Sequence, residues 1–144
     1  GCEYVSSTTG EKVFSNFWPG SGADSNFPVK AFLYDDPNQL FVIATSNVVA
    51  GQDTEAEVRT SVFSNIQFAT GNSGSTTTGI SSATADLNTV ATTNSHALRI
   101  MGIQDDPENS DFSAAGIPLI VRINNHFNAP TGSIAQGTVS TTGV

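Results

Sequence analysis

Residues 40–45 (LFVIAT) limit the fold more than any other stretch of this chain. The segment is short, β-branched and aromatic. Both of its strand faces are apolar: Leu40, Val42 and Ala44 on one, Phe41 and Ile43 on the other. A sheet covered on one side alternates cleanly between apolar and polar residues. A strand of this kind instead needs a sandwich or barrel with extra cover, or a sheet face that meets a partner. Residues 29–34 (VKAFLY), 98–103 (LRIMGI) and 117–124 (IPLIVRIN) add further strong strands. Strands alternating with tight turns, with hardly any helix, predict an all-β fold: a small β-sandwich or barrel-like domain with one short helix and flexible loops.

Asp35-Asp36-Pro37-Asn38 separates the first two of these strands. Pro presets φ for the second position of a turn, and a preceding Asp caps it by hydrogen bonding. The pair is therefore expected as a hairpin or tight corner. The same order returns later, with Asp105-Asp106-Pro107 between 98–103 and 117–124, either as a pseudo-repeat or because Asp-Pro is sound turn chemistry anywhere. Residues 12–17 read as an edge strand ending at Trp18-Pro19-Gly20, and 57–63 and 66–70 as weaker strands. Residues 71–79 (GNSGSTTTG) read as a flexible loop. Residues 82–91 (SATADLNTVA) are the one expected helix, with Ser82 as its N-cap. The tail 129–144 is rich in Gly, Ser and Thr and is expected as an arm that orders only against a neighbour. The domain reading is thus a β-rich domain over 1–128 and a flexible C-terminal arm over 129–144.

A chain of 144 residues is long enough to bury a core without a disulfide or metal. Cys2 is its only cysteine, so no intrachain disulfide forms, although a bridge to another chain stays open. Thirteen acids face five bases, for a formal charge of −8. The bases Lys12, Lys30, Arg59, Arg99 and Arg122 are too scattered for the basic patch that nucleic acid requires, and an anionic membrane is disfavoured for the same reason. No run of apolar residues is long enough for a membrane span, and no charged-then-apolar leader is read. Only 12% of residues are charged, and 17 Ser, 17 Thr and 12 Asn build the polar surface instead. Such surfaces are common in extracellular and virion β-proteins. No Asn-x-Ser/Thr sequon occurs.

The residues that carry chemistry are sparse. With His96 and His126 as the only histidines and no Gly-x-Ser-x-Gly elbow, no hydrolytic triad stands out. Zinc-binding spacings are absent. Asp105, Asp106, Glu108 and Asp111 offer oxygen ligands for Ca²⁺, but without the regular spacing they read as a solvated turn. No pair of carboxylates is singled out for sugar cleavage, and no phosphate-cradling glycine loop occurs. No catalytic residue, metal or cofactor is therefore expected. Phe14, Phe17 and Trp18 form an aromatic group that reads either as a core corner or as an interface anchor, since large rigid rings dominate binding hot spots. His126 closes the strongest late strand.

Taken in order, the chain shows Phe-Ser-Asn-Phe-Trp-Pro at 14–19, Tyr-Asp-Asp-Pro-Asn at 34–38, Leu-Arg-Ile-Met-Gly at 98–102, Pro-Glu-Asn at 107–109 and Val-Arg-Ile-Asn-Asn-His at 121–126. This pattern resembles small proteins encoded near the major capsid gene of tailed double-stranded DNA phages, which look like capsid decoration, or cement, proteins. The resemblance implies a structural virion protein without enzymatic activity. It would be made in the cytoplasm of a bacterial host and end on the capsid exterior. Its partner would be the major capsid protein, with a homo-oligomer (dimer or trimer) as a further possibility. The contact residues expected on this reading are Phe14, Phe17, Trp18, His126 and Phe127, with Ile134 and Val139 in the tail. Two other classes stay open: a receptor- or glycan-binding module of a virion fibre or appendage, and a small hydrolase.

Overall fold

The computed structural model describes residues 1–108 and 111–126. The expected arm 129–144 therefore lies outside the described residues. Apart from one six-residue helix and a 3-10 turn at Gly20–Gly22, the regular structure among the described residues is all strand, as the sequence predicts. Within the stretch read as one domain, two compact units form: residues 1–34 with 73–82, and residues 35–72 with the described residues from 83 onward.

The first unit is a three-stranded antiparallel sheet in the order β2-β1-β3, with β1 (Cys2–Val5), β2 (Lys12–Ser15) and β3 (Lys30–Ala31). A tight connection joins β1 to β2. Ser6 Oγ accepts from the N–H groups of Thr8 and Thr9, and Gly10 supplies the positive φ (71°) that returns the chain. Cys2 is buried opposite Ser15 and Ala31.

The second unit holds five strands in the order β4-β8-β7-β5-β6, all antiparallel: β4 (Leu40–Ala44), β5 (Asn65–Phe68), β6 (Ala85–Ala91), β7 (Leu98–Ile103) and β8 (Pro118–Ile123). The two edges then meet. Thr45, directly after β4, forms a parallel bridge with Ala85 of β6, and the Ser46 N–H donates to the Ala85 carbonyl. The sheet is thereby curled into a barrel-like unit. Ile66, Leu87, Leu98, Ile100, Leu119 and Val121 are buried within it, with Val58 of the helix α1 (Glu55–Thr60) and Ile117. Phe41 and Ile43 line the same core. Each fully buried side chain of this kind contributes about 1.5–3 kcal/mol.

Several local expectations change. Residues 82–91 are not helical; they give β6, because Ala85 and Leu87 alternate with Asp86 and Asn88 at the strand period. The helix lies instead at Glu55–Thr60, overlapping the region read as a strand over 57–63. Thr54 caps it, accepting from the Glu57 N–H and donating its hydroxyl to the Glu57 carboxylate at 2.7 Å. Hydrogen bonding with Thr54, chiefly its hydroxyl, and then with Asp53 holds the Glu57 carboxyl below its ordinary value. Residues 29–34 and 40–45 do not form a hairpin: β3 pairs with β1, and β4 pairs with β8. The Asp36 carboxylate does cap its turn, accepting from the Asn38 N–H, but the turn carries the chain out of one unit and into the other. The later Asp-Asp-Pro segment lies, as expected, between two strands that pair, β7 and β8. Asp106 caps it, accepting from the Glu108 N–H.

Thr45 is 2% exposed, and its Oγ1 accepts from the Gly116 and Ile117 N–H groups. Thr45→Val keeps the shape and removes that acceptor, so a buried Ile117 N–H goes unsatisfied. The expected cost is about 1–3 kcal/mol, a fall of roughly 5–15 °C in Tm. Thr45→Ser keeps most of the stability, and a thermal melt of the three proteins compares them.

Candidate interface surfaces

The first unit exposes an aromatic face. On β1 and β2, Glu3 stands opposite Phe14 and Val5 opposite Lys12, so these four side chains share one side of the sheet. Lys12 Nζ reaches Glu3 Oε1 at 3.3 Å along it. Phe14 meets Phe32 with ring centroids 6.0 Å apart and planes tilted by 47°. The Lys30 ammonium stands 5.1 Å from the Phe32 ring centroid, a cation–π contact worth about 0.5–1 kcal/mol in the open. Phe14 is nevertheless 63% exposed, and Phe27 and Phe32 are also exposed. Beside them Phe27, Pro28, Lys30 and residues 3–5 of β1 border a hollow of about 200 Å³. The aromatic group read from sequence is thus split. Phe14 belongs to this face. Phe17 is half-buried in a second hollow of about 310 Å³, which it shares with Asn16, Ser75, Thr76, Ile80 and Ser81. Trp18 is 64% exposed, next to the 3-10 turn.

That second hollow depends on a close approach. A Cβ on Gly79 would lie 2.8 Å from the Asn16 Cβ, and Gly79 has φ of +70°, so the 73–82 loop approaches the end of β2 this closely only with glycine there.

In the second unit the barrel wall is apolar on its outer side at β4. Phe41 and Ile43 face the core, while Leu40 and Val42 are exposed on the opposite face. Val42 stands beside Ile120, and Leu40 beside Arg122. Arg122 is in turn the cross-strand neighbour of Arg99. Desolvation, and then the Arg122 charge, hold the Arg99 guanidinium below its ordinary value. His126 follows β8, its side chain 10% exposed and its Nε2 3.9 Å from Asp35 Oδ1. Phe127, Ile134 and Val139 lie outside the described residues.

His96 sits between β6 and β7, where its carbonyl accepts from the Asn124 carboxamide. Among the described residues no group of three or more His, Cys, Asp or Glu side chains is placed to hold a metal ion. Asp111 instead accepts from the N–H and hydroxyl of Ser113, which hold its carboxyl below the usual range. Among the same residues no helix is long and apolar enough to cross a membrane.

Sequence reasoning did not single out Phe27, Lys30, Phe32, Arg99 or Arg122 as surface residues. For β4 the signal was present, since two apolar faces on one strand leave one face outside a barrel. For Phe32 there was none, because its meeting with Phe14 follows from strand pairing. The chain matches no protein-family model, no curated protein and no solved structure.

Trp18 is the only tryptophan. Its exposure predicts that acrylamide quenches the fluorescence of the isolated chain nearly as well as that of free indole. A shielded, blue-shifted emission would refute this placement.

Proposed function

We propose that this chain is a capsid decoration protein: it binds the outside of the major capsid protein lattice of a tailed phage and stabilises the head. The observation that carries the reading is the number of large apolar side chains left in the open on both units. Phe14, Phe27, Phe32 and Trp18 are exposed in the first, and Leu40 and Val42 in the second. Soluble proteins rarely leave contiguous apolar surface uncovered unless something binds there. The order of turn and strand motifs from Phe14 to His126 supports the same class. A cement protein acts by mass action: it binds the assembled lattice and not the separated subunits, and so shifts the equilibrium toward the shell. Such work needs contact area and shape. It needs no reacting group, and the acidic surface keeps the protein off the packaged DNA.

A second reading, a receptor- or glycan-binding module of a virion appendage, is favoured by one observation. The hollow beside Phe17 places an aromatic ring next to Ser75, Thr76 and Ser81, a mixture that suits a sugar's apolar face and hydroxyls.

Purified chain added to expanded heads that lack it is expected to co-sediment with them and raise their melting temperature. The Trp18→Ser variant is expected to bind at least tenfold more weakly with its own Tm little changed, because this ring is exposed. Failure of the wild-type chain to bind heads would overturn the proposal. Binding on a glycan array, lost in Phe17→Ala, would establish the second reading.

A further inference from the structure

The five basic side chains of this acidic protein are not used alike. Lys12 pairs with Glu3, Arg59 with Glu55, and Lys30 lies over the Phe32 ring. Among the described residues, Arg99 and Arg122 pair with neither a carboxylate nor a ring. They are also cross-strand neighbours, on β7 and β8, and so stand on the same face of the sheet. All thirteen acids of the sequence lie among the described residues, and none of them forms a salt bridge with either arginine.

Like charges placed directly opposite on adjacent strands are destabilising. With eight surplus negative charges on the chain, a counter-ion from within would have been easy to supply. The pair is instead set among apolar side chains. Leu40 adjoins Arg122, Val42 adjoins Ile120, and Met101 lies at the irregularity in β7 where the register with β8 shifts. Leu40 and Val42 are 47% and 59% exposed, and Ile120 and Met101 are half-buried. This is an outer barrel wall with a cationic centre, the reverse of the molecule's overall charge, and an apolar margin on the β4 side, while Asn65 adjoins Arg99 on β5.

We propose that this face of the second unit docks a different protein through a segment that carries carboxylates flanked by apolar side chains. The carboxylates would take the place of the missing counter-ions of Arg99 and Arg122, and the apolar groups would cover Leu40, Val42 and Ile120. Guanidinium forks bind carboxylates bidentately, and arginine is enriched at binding hot spots. Two neighbouring charges are too few for the multiple phosphate contacts of nucleic-acid binding on a chain of net charge −8. The inference goes beyond capsid decoration, since it names the chemistry of a docking face without depending on the shell.

The test uses the whole chain and two capped peptides, Leu-Glu-Val-Glu-Leu and Leu-Gln-Val-Gln-Leu, followed by the arginine Nε–Hε resonances in ¹H–¹⁵N spectra. The glutamate peptide is expected to shift the Arg99 and Arg122 signals and to bind at least tenfold more tightly than the glutamine peptide. The R99Q/R122Q variant is expected to lose that preference while its Tm stays level or rises, because a like-charge pair has been removed. A fall in Tm with no change in peptide preference would show a purely structural role and overturn the proposal. So would equal binding of both peptides, or tighter binding of a thymidine decanucleotide or of phosphatidylserine vesicles. Wild-type self-association in sedimentation that R99Q/R122Q abolishes would also overturn it, making the occupant a second copy. Head binding that survives R99Q/R122Q leaves the decoration reading standing while the peptide result decides this one.

Discussion

Thr45 holds the second unit closed. Its N–H donates to the Ile117 carbonyl, its carbonyl accepts from the Gly116 N–H, and its hydroxyl accepts from the Ile117 N–H. The next residue, Ser46, donates to Ala85. One short stretch therefore ties the end of β4 to the approach to β8 on one side and to β6 on the other. Asn47 extends the tie, accepting from the Leu87 N–H and donating to Asp86. Without these bonds the sheet would have two free edges and an open inner face. With them, Ile66, Ile100, Leu119 and Val121 share one dry interior.

Closure has a consequence for the outside. A barrel wall has one inner and one outer face, so β4, apolar on both, can bury only half of its side chains. Phe41 and Ile43 take the interior, and Leu40 and Val42 remain in water. Irregularities in the strands are accommodated locally. Where the register between β5 and β6 shifts, the Gln67 N–H turns to the Thr89 hydroxyl, which itself donates to the Asp86 carbonyl. Buried Asn65 and Asn124 secure the β6–β7 connection by donating to the carbonyls of Thr93, Asn94 and His96. The side chains that fasten this framework are largely uncharged amides and hydroxyls, which matches a composition rich in Asn, Ser and Thr and poor in charge.

The first unit follows different physics. Its sheet has only three short strands, and much of its apolar surface is aromatic and near water. A sheet this small buries few side chains between its own layers. Ring contacts such as Phe14 with Phe32, and the Lys30 ammonium over Phe32, organise it from the outside. The same rings that steady the strands therefore form the surface offered to a partner.

Local signals in the sequence were enough for the strand character, for six of the strand positions and for the aspartate-capped turns. Each of these rests on neighbours in the chain: β-branched runs, or a carboxylate two residues from the N–H it accepts. The capping box at Thr54 and Glu57, and the two-residue alternation around Leu87, were legible in the same way but were outweighed by composition. What strand meets what strand was not legible. Pairing β4 with β8 in place of β3 joins residues far apart in the chain, and the preference depends on how a whole core packs. By itself the sequence determined that the chain is β-rich, acidic and poor in reactive groups. Only the tertiary structure decided that Phe14 meets Phe32 and that Arg99 stands beside Arg122, because cross-strand neighbours are set by register and closure, which no local pattern encodes.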